Sequence, residues 1–228
     1  MKKLSFLTVA VICSFCNVYG QSSSGSDSKS FHFGLNVTPG LYWLKPNSNN
    51  NKGNGSSFGF GYGANLEFYF TQNYGLCTGL EVTSFKGKYT NTVTGNSNSN
   101  GDTTTIHSLS LEYLQLPIVL KMKTNAIGLI KYFGEVGLGT GVLLKGTDNY
   151  TVTHPNGQSY SENNVKVNSQ TNLLRLSLTI GLGLEYNIAS STSLQFSANF
   201  DNGFLNVNKS SDSQVLSKGI TLTVGVLF

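Results

Sequence analysis

Residues 172–187 read NLLRLSLTIGLGLEYN, and their alternation decides the architecture. Leu174, Leu176, Leu178, Ile180, Leu182, Leu184 and Tyr186 share one parity. Arg175, Ser177, Thr179, Gly181, Gly183 and Glu185 share the other. A β-strand sends successive side chains to opposite faces, so one face of this segment is continuously oily and the other small, polar or charged. At ~3.3 Å per residue the oily row spans about 40 Å. Strands of water-soluble domains usually stop after about five or six residues, whereas a tilted strand crossing a bilayer needs roughly 9 to 11.

The same period recurs along the chain, and no segment past residue 20 has apolar residues at helical spacing over a useful length. Residues 58–70 set Phe58, Phe60, Tyr62, Ala64, Leu66, Phe68 and Phe70 against Gly59, Gly61, Gly63, Asn65, Glu67 and Tyr69. Residues 31–43, 193–204 and 219–228 alternate in the same way, and further strands are expected at 76–89, 109–122 and 130–144. The connections alternate in length. Thr71–Gly75, Lys123–Leu129 and Asn187–Thr192 are short, while Leu44–Ser57, Thr90–Ser108, Lys145–Thr171 and Leu205–Val215 are long and rich in Asn, Ser, Gly and Thr. Loops sorted by parity, on eight strands, point to an all-β, eight-stranded antiparallel up-and-down transmembrane β-barrel with short periplasmic turns and long extracellular loops. Closure is required because an open sheet edge in hydrocarbon leaves backbone groups unsatisfied at several kcal/mol each.

The start of the chain agrees. Lys2 and Lys3 precede an apolar run from Leu4 to Phe15, and Val18 and Gly20 offer a cleavage site ahead of the polar stretch Gln21–Ser30. Residues 1–20 are therefore expected to be a cleaved signal peptide, 21–30 a short polar segment and 31–228 the barrel, delivered to the cell outer membrane. Cys13 and Cys16 lie in the leader without a small-residue lipidation box, and Cys77 alone remains, so no intramolecular disulfide is expected. Charged residues are 11% of the chain, against 26 glycines and 11% aromatics, so something other than charge covers the surface. The balance of +4 includes the two leader lysines, and nothing suggests a nucleic-acid partner.

If the oily faces meet lipid, the opposite faces converge in the lumen. There the pattern collects Glu67, Glu81, Glu135 and Glu185 with Lys121, Lys131 and Arg175. Isolated charges in a dry interior are costly, so they should pair. An eight-stranded barrel is just wide enough for side chains to fill, which predicts a plugged lumen rather than an open pore. Pro117 lies within a strand and predicts a bulge or bend. The glycine stripes Gly59-Gly61-Gly63 and Gly137-Gly139-Gly141 follow no strand-to-helix turn, so they are read as room for large lumen side chains rather than phosphate loops.

Catalysis finds little support. The histidines are His32, His107 and His154, and adjacent His107 and Ser108 point to opposite faces of a strand, leaving no nucleophile with base and orienter. No catalytic residue, metal site or cofactor is expected, since no His, Cys or acid pairs show ligand spacing. Tyr42, Trp43, Phe58, Phe85, Tyr89, Phe31 and Phe70 sit near strand ends and suit interfacial girdles. Tyr42 and Tyr89 also fit a carbohydrate platform.

The stretch Tyr113-Leu114-Gln115-Leu116-Pro117-Ile118-Val119-Leu120-Lys121 is similar to the tyrosine, leucine, acidic-or-amide, apolar, proline strand of the PorT-like outer-membrane barrels of Bacteroidetes. The chain resembles that family over essentially all of its length past the leader. The terminal Phe228 looks like the signal read by the barrel-assembly machinery. The resemblance implies outer-membrane lipids and that machinery as partners, and secretion-system or cell-surface proteins as further ones. Some relatives act in type IX secretion or gliding, while many have no assigned role. Three functional classes follow: a structural or surface-interaction barrel, a secretion accessory, and a soluble lipocalin-like carrier, which would turn its apolar side chains inward.

Overall fold

The computed structural model describes residues 31–47, 51–94, 101–209 and 214–228. The expected signal peptide and the polar segment 21–30 lie outside the described residues. The strands are β1 (Phe31–Pro46), β2 (Asn51–Tyr69), β3 (Tyr74–Val93), β4 (Thr103–Lys123), β5 (Ile130–Thr153), β6 (Ser159–Lys166), β7 (Leu174–Ala189), β8 (Thr192–Gly203) and β9 (Val215–Leu227). Eight of them close a ring in the order β1-β2-β3-β4-β5-β7-β8-β9, with β9 returning to β1 and every pairing antiparallel. Both ends of the ring sheet are thereby paired, so no ladder edge faces the apolar belt.

The oily rows point outward. On β7, Leu174, Ile180, Leu182 and Tyr186 are exposed while Arg175, Ser177 and Glu185 are buried. Leu182 is 72% exposed and Arg175 6%, a contrast that a water-soluble fold would reverse. Phe33, Leu35, Val37 and Leu41 on β1, Leu116 and Ile118 on β4, and Ile220 and Leu222 on β9 continue the belt around the cylinder. The termini of the ring meet at the short-turn rim, where the Phe228 amide donates to the Phe33 carbonyl at 2.8 Å.

Two expectations are corrected. The long connections keep their rim, but much of their length is regular strand. β5 continues to Thr153 and folds back as β6, which pairs with its outer half from Thr147↔Lys166 to Thr153↔Ser159, so the expected loop Lys145–Thr171 holds a ninth strand. These extensions are built from Thr, Ser, Asn and Tyr and carry no oily row, because past the belt neither face meets lipid.

Pro117 makes no bulge. Its pairing with β5 is regular (Pro117↔Gly139), and on the β3 side pairing lapses at Leu116 and Pro117 and resumes in unchanged register at Gln115↔Glu81. A residue without an N–H costs the ladder a bond but need not add a residue. The bulge of this ladder lies on β5, where Glu112↔Lys145 and Tyr113↔Leu143 leave Leu144 opposite no residue. One extra residue reverses the parity of β5. Leu143 faces in, Leu144 faces out, and beyond the bulge Asp148 and Val152 face in.

Candidate functional site in the barrel lumen

The inward side chains sort into three layers. At the short-turn rim a vestibule of 680 Å³ is lined by His32, Gln72, Lys123, Asn125, Lys131 and Ser190 among others. Above it lies a charged layer. Lys121, fully buried, places Nζ 2.7 Å from Glu67 Oε1 and 2.7 Å from Glu185 Oε1. Lys123 adds a looser contact, 3.4 Å to Glu185 Oε2, and stands 3.7 Å over the Tyr69 ring. The Tyr69 hydroxyl donates to Glu67 Oε2 at 2.5 Å, and Lys121 lies 4.2 Å over Phe133. One ammonium between two carboxylates, each with a further donor, is the arrangement that lets charges leave water without being stranded.

The middle of the barrel is a polar chamber of 140 Å³ lined by Asn36, Thr38, Glu81, Gln115, Glu135 and Asp201 among others. Arg175 lies behind the chamber wall, against its lining residues Asp201, Gln115 and Phe85. It is ion-paired with Asp201, donates from Nη1 to Ser177 Oγ at 3.0 Å and from Nε to Ser217 Oγ at 3.2 Å, and reaches Gln115 Oε1 at 3.5 Å. Its guanidinium stacks 4.1 Å over Phe85.

Above Arg175 the lumen turns apolar. Tyr42, Leu44, Phe85, Tyr89, Leu109, Leu111, Tyr113 and Leu143 pack together with Val167, Val207 and Val215 into a dry cap. Phe85 is the hinge of the aromatic packing, 4.5 Å from Tyr42 and 5.7 Å from Tyr113 between ring centroids. Glycines make room for the largest ring: a Cβ on Gly59 would come within 2.6 Å of Tyr42.

Of the residues singled out in the sequence, Glu67, Glu185 and Lys121 come together as the charged layer, and Arg175 finds Asp201, a residue the reading of charges had passed over. Lys131 stays at the vestibule wall, while Lys123, assigned to a turn, takes the inward position next to Glu185. Glu135 faces Lys121 across the β4–β5 ladder, and Glu81 accepts from Thr83 Oγ1 at 2.7 Å. Tyr113, Gln115 and Pro117 all face the lumen, Tyr113 within the cap and the other two near the chamber. Phe228 points outward and is 48% exposed. Tyr42, Phe85 and Tyr89 are corrected from girdle residues to cap residues, which also removes Tyr42 and Tyr89 as a carbohydrate platform. Their parity on β1 and β3 matches Thr38 and Glu81, and that signal was available in the sequence.

A pair not foreseen sits at the cap's outer edge. His107 Nδ1 lies 2.6 Å from Asp148 Oδ2, the Ser108 amide donates to Asp148 Oδ1 at 3.1 Å, and Tyr89 stacks on the imidazole at 4.7 Å. The β5 bulge makes it, because only the reversed parity turns Asp148 toward β4.

The model of the family described as outer membrane protein beta-barrel domain matches residues 19–222. No curated protein matches the chain. Among solved structures it is similar to Neisserial surface protein A, at 12% identity over 89% of this chain and 98% of that one, with a TM-score of 0.48. OprG from Pseudomonas aeruginosa is 11% identical over 87% of this chain and 95% of that one, with a TM-score of 0.42. Ail, the attachment invasion locus protein of Yersinia pestis, solved with the heparin analogue sucrose octasulfate, is 13% identical over 87% and 99%, with a TM-score of 0.34.

Proposed function

We propose, since the chain belongs to the outer membrane protein beta-barrel domain family, that it is a sealed anchor whose work is done by the strands and loops it holds outside the cell. It is an integral outer-membrane protein, with the short turns toward the periplasm. The observation that carries the reading is the layered lumen: an ion-paired layer below and an apolar cap above leave the 140 Å³ chamber between them. A soluble carrier needs its oily rows inside, and here they are outside, which argues against the lipocalin-like alternative. Planar-bilayer recording from the purified barrel is expected to show no steady conductance of porin size, and such a conductance refutes the seal.

With the lumen closed, chemistry open to other molecules is concentrated at the outer rim. The β5–β6 hairpin projects there with nearly all of β6 exposed, carrying Tyr150 and Tyr160 at a ring separation of 6.5 Å. We assign no catalytic role to His107 and Asp148, which pack with Tyr89 as part of the cap edge. The outward, exposed side chain of Phe228 supports reading it as the signal for the assembly machinery.

The strand from Tyr113 to Lys121 favours a second reading, a PorT-like accessory of type IX secretion. Two strains separate them. A full deletion is expected to leave the profile of secreted proteins unchanged, and replacement of residues 149–165 by a tight turn is expected to leave a folded, membrane-inserted barrel that has lost its surface-loop interactions. Accumulation of unprocessed secretion cargo in the deletion strain would move the assignment to the accessory.

A further inference from the structure

The lumen's charges do not balance. Lys121 and Lys123 serve Glu67 and Glu185, and Arg175 serves Asp201. Glu135 lies directly across the ladder from Lys121 and shares its field. Glu81 has no such base: among the described residues its one hydrogen-bond partner is the Thr83 hydroxyl.

Glu81 lies against two glycines in the wall of the chamber, and the hollow it faces is the chamber itself. Asn36, Gly63 and Glu81 form one row across β1, β2 and β3, and Thr38, Gly61 and Thr83 the next. Neither glycine puts a side chain between its neighbours, and the Glu81 carboxylate lies over Gly61, in contact with where a Cβ would be. The rows span two strand spacings, about 10 Å between outer Cα atoms. Thr38 is 5% exposed, and its Oγ1 finds no hydrogen-bond partner among the described residues; Asn36 Oδ1 is equally orphaned. Both line the same chamber as Glu81. Orphaned buried oxygens beside an uncompensated carboxylate are each costly, and together they ask for one thing, a positive charge that accepts oxygen ligands.

We propose that this hollow is a monovalent-cation site, with Glu81 supplying the charge and Thr38 Oγ1 and Asn36 Oδ1 supplying neutral oxygens. One carboxylate neutralises one alkali-metal ion. Divalent cations draw on several carboxylates, and among the described residues no group of three or more His, Cys, Asp or Glu is placed to hold a metal. The chamber of 140 Å³ also has room for waters that complete the ion's shell, since one water needs roughly 10–15 Å³ of such space. The ion acts as the missing base of the plug.

The full chain, purified folded in detergent and crystallised from rubidium chloride, is expected to show an anomalous peak in contact with Glu81 and Thr38. Glu81→Gln and Thr38→Val crystals grown in the same way lose it. In solution, exchanging choline chloride for potassium chloride at constant ionic strength is expected to raise the unfolding temperature by several degrees in the parent chain and not in Glu81→Gln. The readout is heat-modifiable gel mobility. A parent chamber that holds water alone, with the same unfolding temperature in every salt, overturns the site and leaves Glu81 as a neutral acid. A salt response undiminished in Glu81→Gln also overturns it, since the ion would then sit elsewhere. Should Glu81→Gln fail to fold, Thr38→Val answers with both readouts, because it removes one hydroxyl and adds no charge.

Discussion

Lys121→Met is expected to cost about 3–5 kcal/mol of folding free energy, the penalty for leaving buried charge without its partner. The substitution keeps the length of the side chain and its packing over Phe133 but removes the ammonium that lies 2.7 Å from both Glu67 and Glu185. Two carboxylates then face each other in a layer where Lys121 is 0% and Glu67 1% exposed. Against a total stability of about 5–15 kcal/mol for a typical domain, the loss is large. Urea titration in detergent, followed by heat-modifiable gel mobility, should show the midpoint fall well below that of the parent chain. The double variant Lys121→Met, Glu67→Gln is expected to recover most of the loss, because Glu185 keeps Lys123 at 3.4 Å and no ion is left stranded. A single variant within about 1 kcal/mol of the parent would mean that water reaches the layer and screens it.

Leu182→Arg tests the other face. Leu182 is 72% exposed in the middle of the outward row of β7, so lipid is its neighbour. An arginine at the midplane of a membrane barrel costs about 2–4 kcal/mol, falling to about 0–1 near the interface. Ile188, 57% exposed at the periplasmic end of the same strand, is the control. Equilibrium refolding into lipid vesicles, followed by fluorescence of Trp43, the chain's one tryptophan, should show the larger penalty for Leu182→Arg than for Ile188→Arg. Equal penalties would mean that the row does not cross the hydrocarbon at the depth assigned to it.

The barrel was legible because its belt obeys a period of two under a strong constraint: lipid outside, packed side chains inside. Leu182 and Glu185 fall on opposite parities, and no other sheet arrangement buries one while greasing the other. The parity of loop length was equally plain. What lay beyond the belt was harder, since residues such as Thr103, Asn149 and Ser159 face water on both sides and show no alternation to read. The bulge at Leu144 has no local signature, and without it Asp148 is assigned to the wrong face and its contact with His107 disappears. Asp201 was visible as an inward residue, but its pairing with Arg175 depends on how β7 and β8 register. The cap was missed for a different reason. Aromatics near strand ends suggest a girdle, and only their shared parity with Thr38 and Glu81 separates Tyr42, Phe85 and Tyr89 from one. Val167 and Val207 lie in polar connections, each with an apolar residue two positions before it (Val165 and Leu205), too short a pattern to mark them as inward.

The cap draws on parts of the chain far from one another: Tyr42 from the first strand, Val167 from past the hairpin, Val215 from the start of the last strand about 170 residues after Tyr42. Val215 pairs with Pro46 in the seam that joins β9 to β1, so the lid is whole only when that seam is. A cylinder open along that line would let solvent drain outward past the half-made lid. Joining the two ends of the sheet therefore also shuts the top of the cylinder over the chamber.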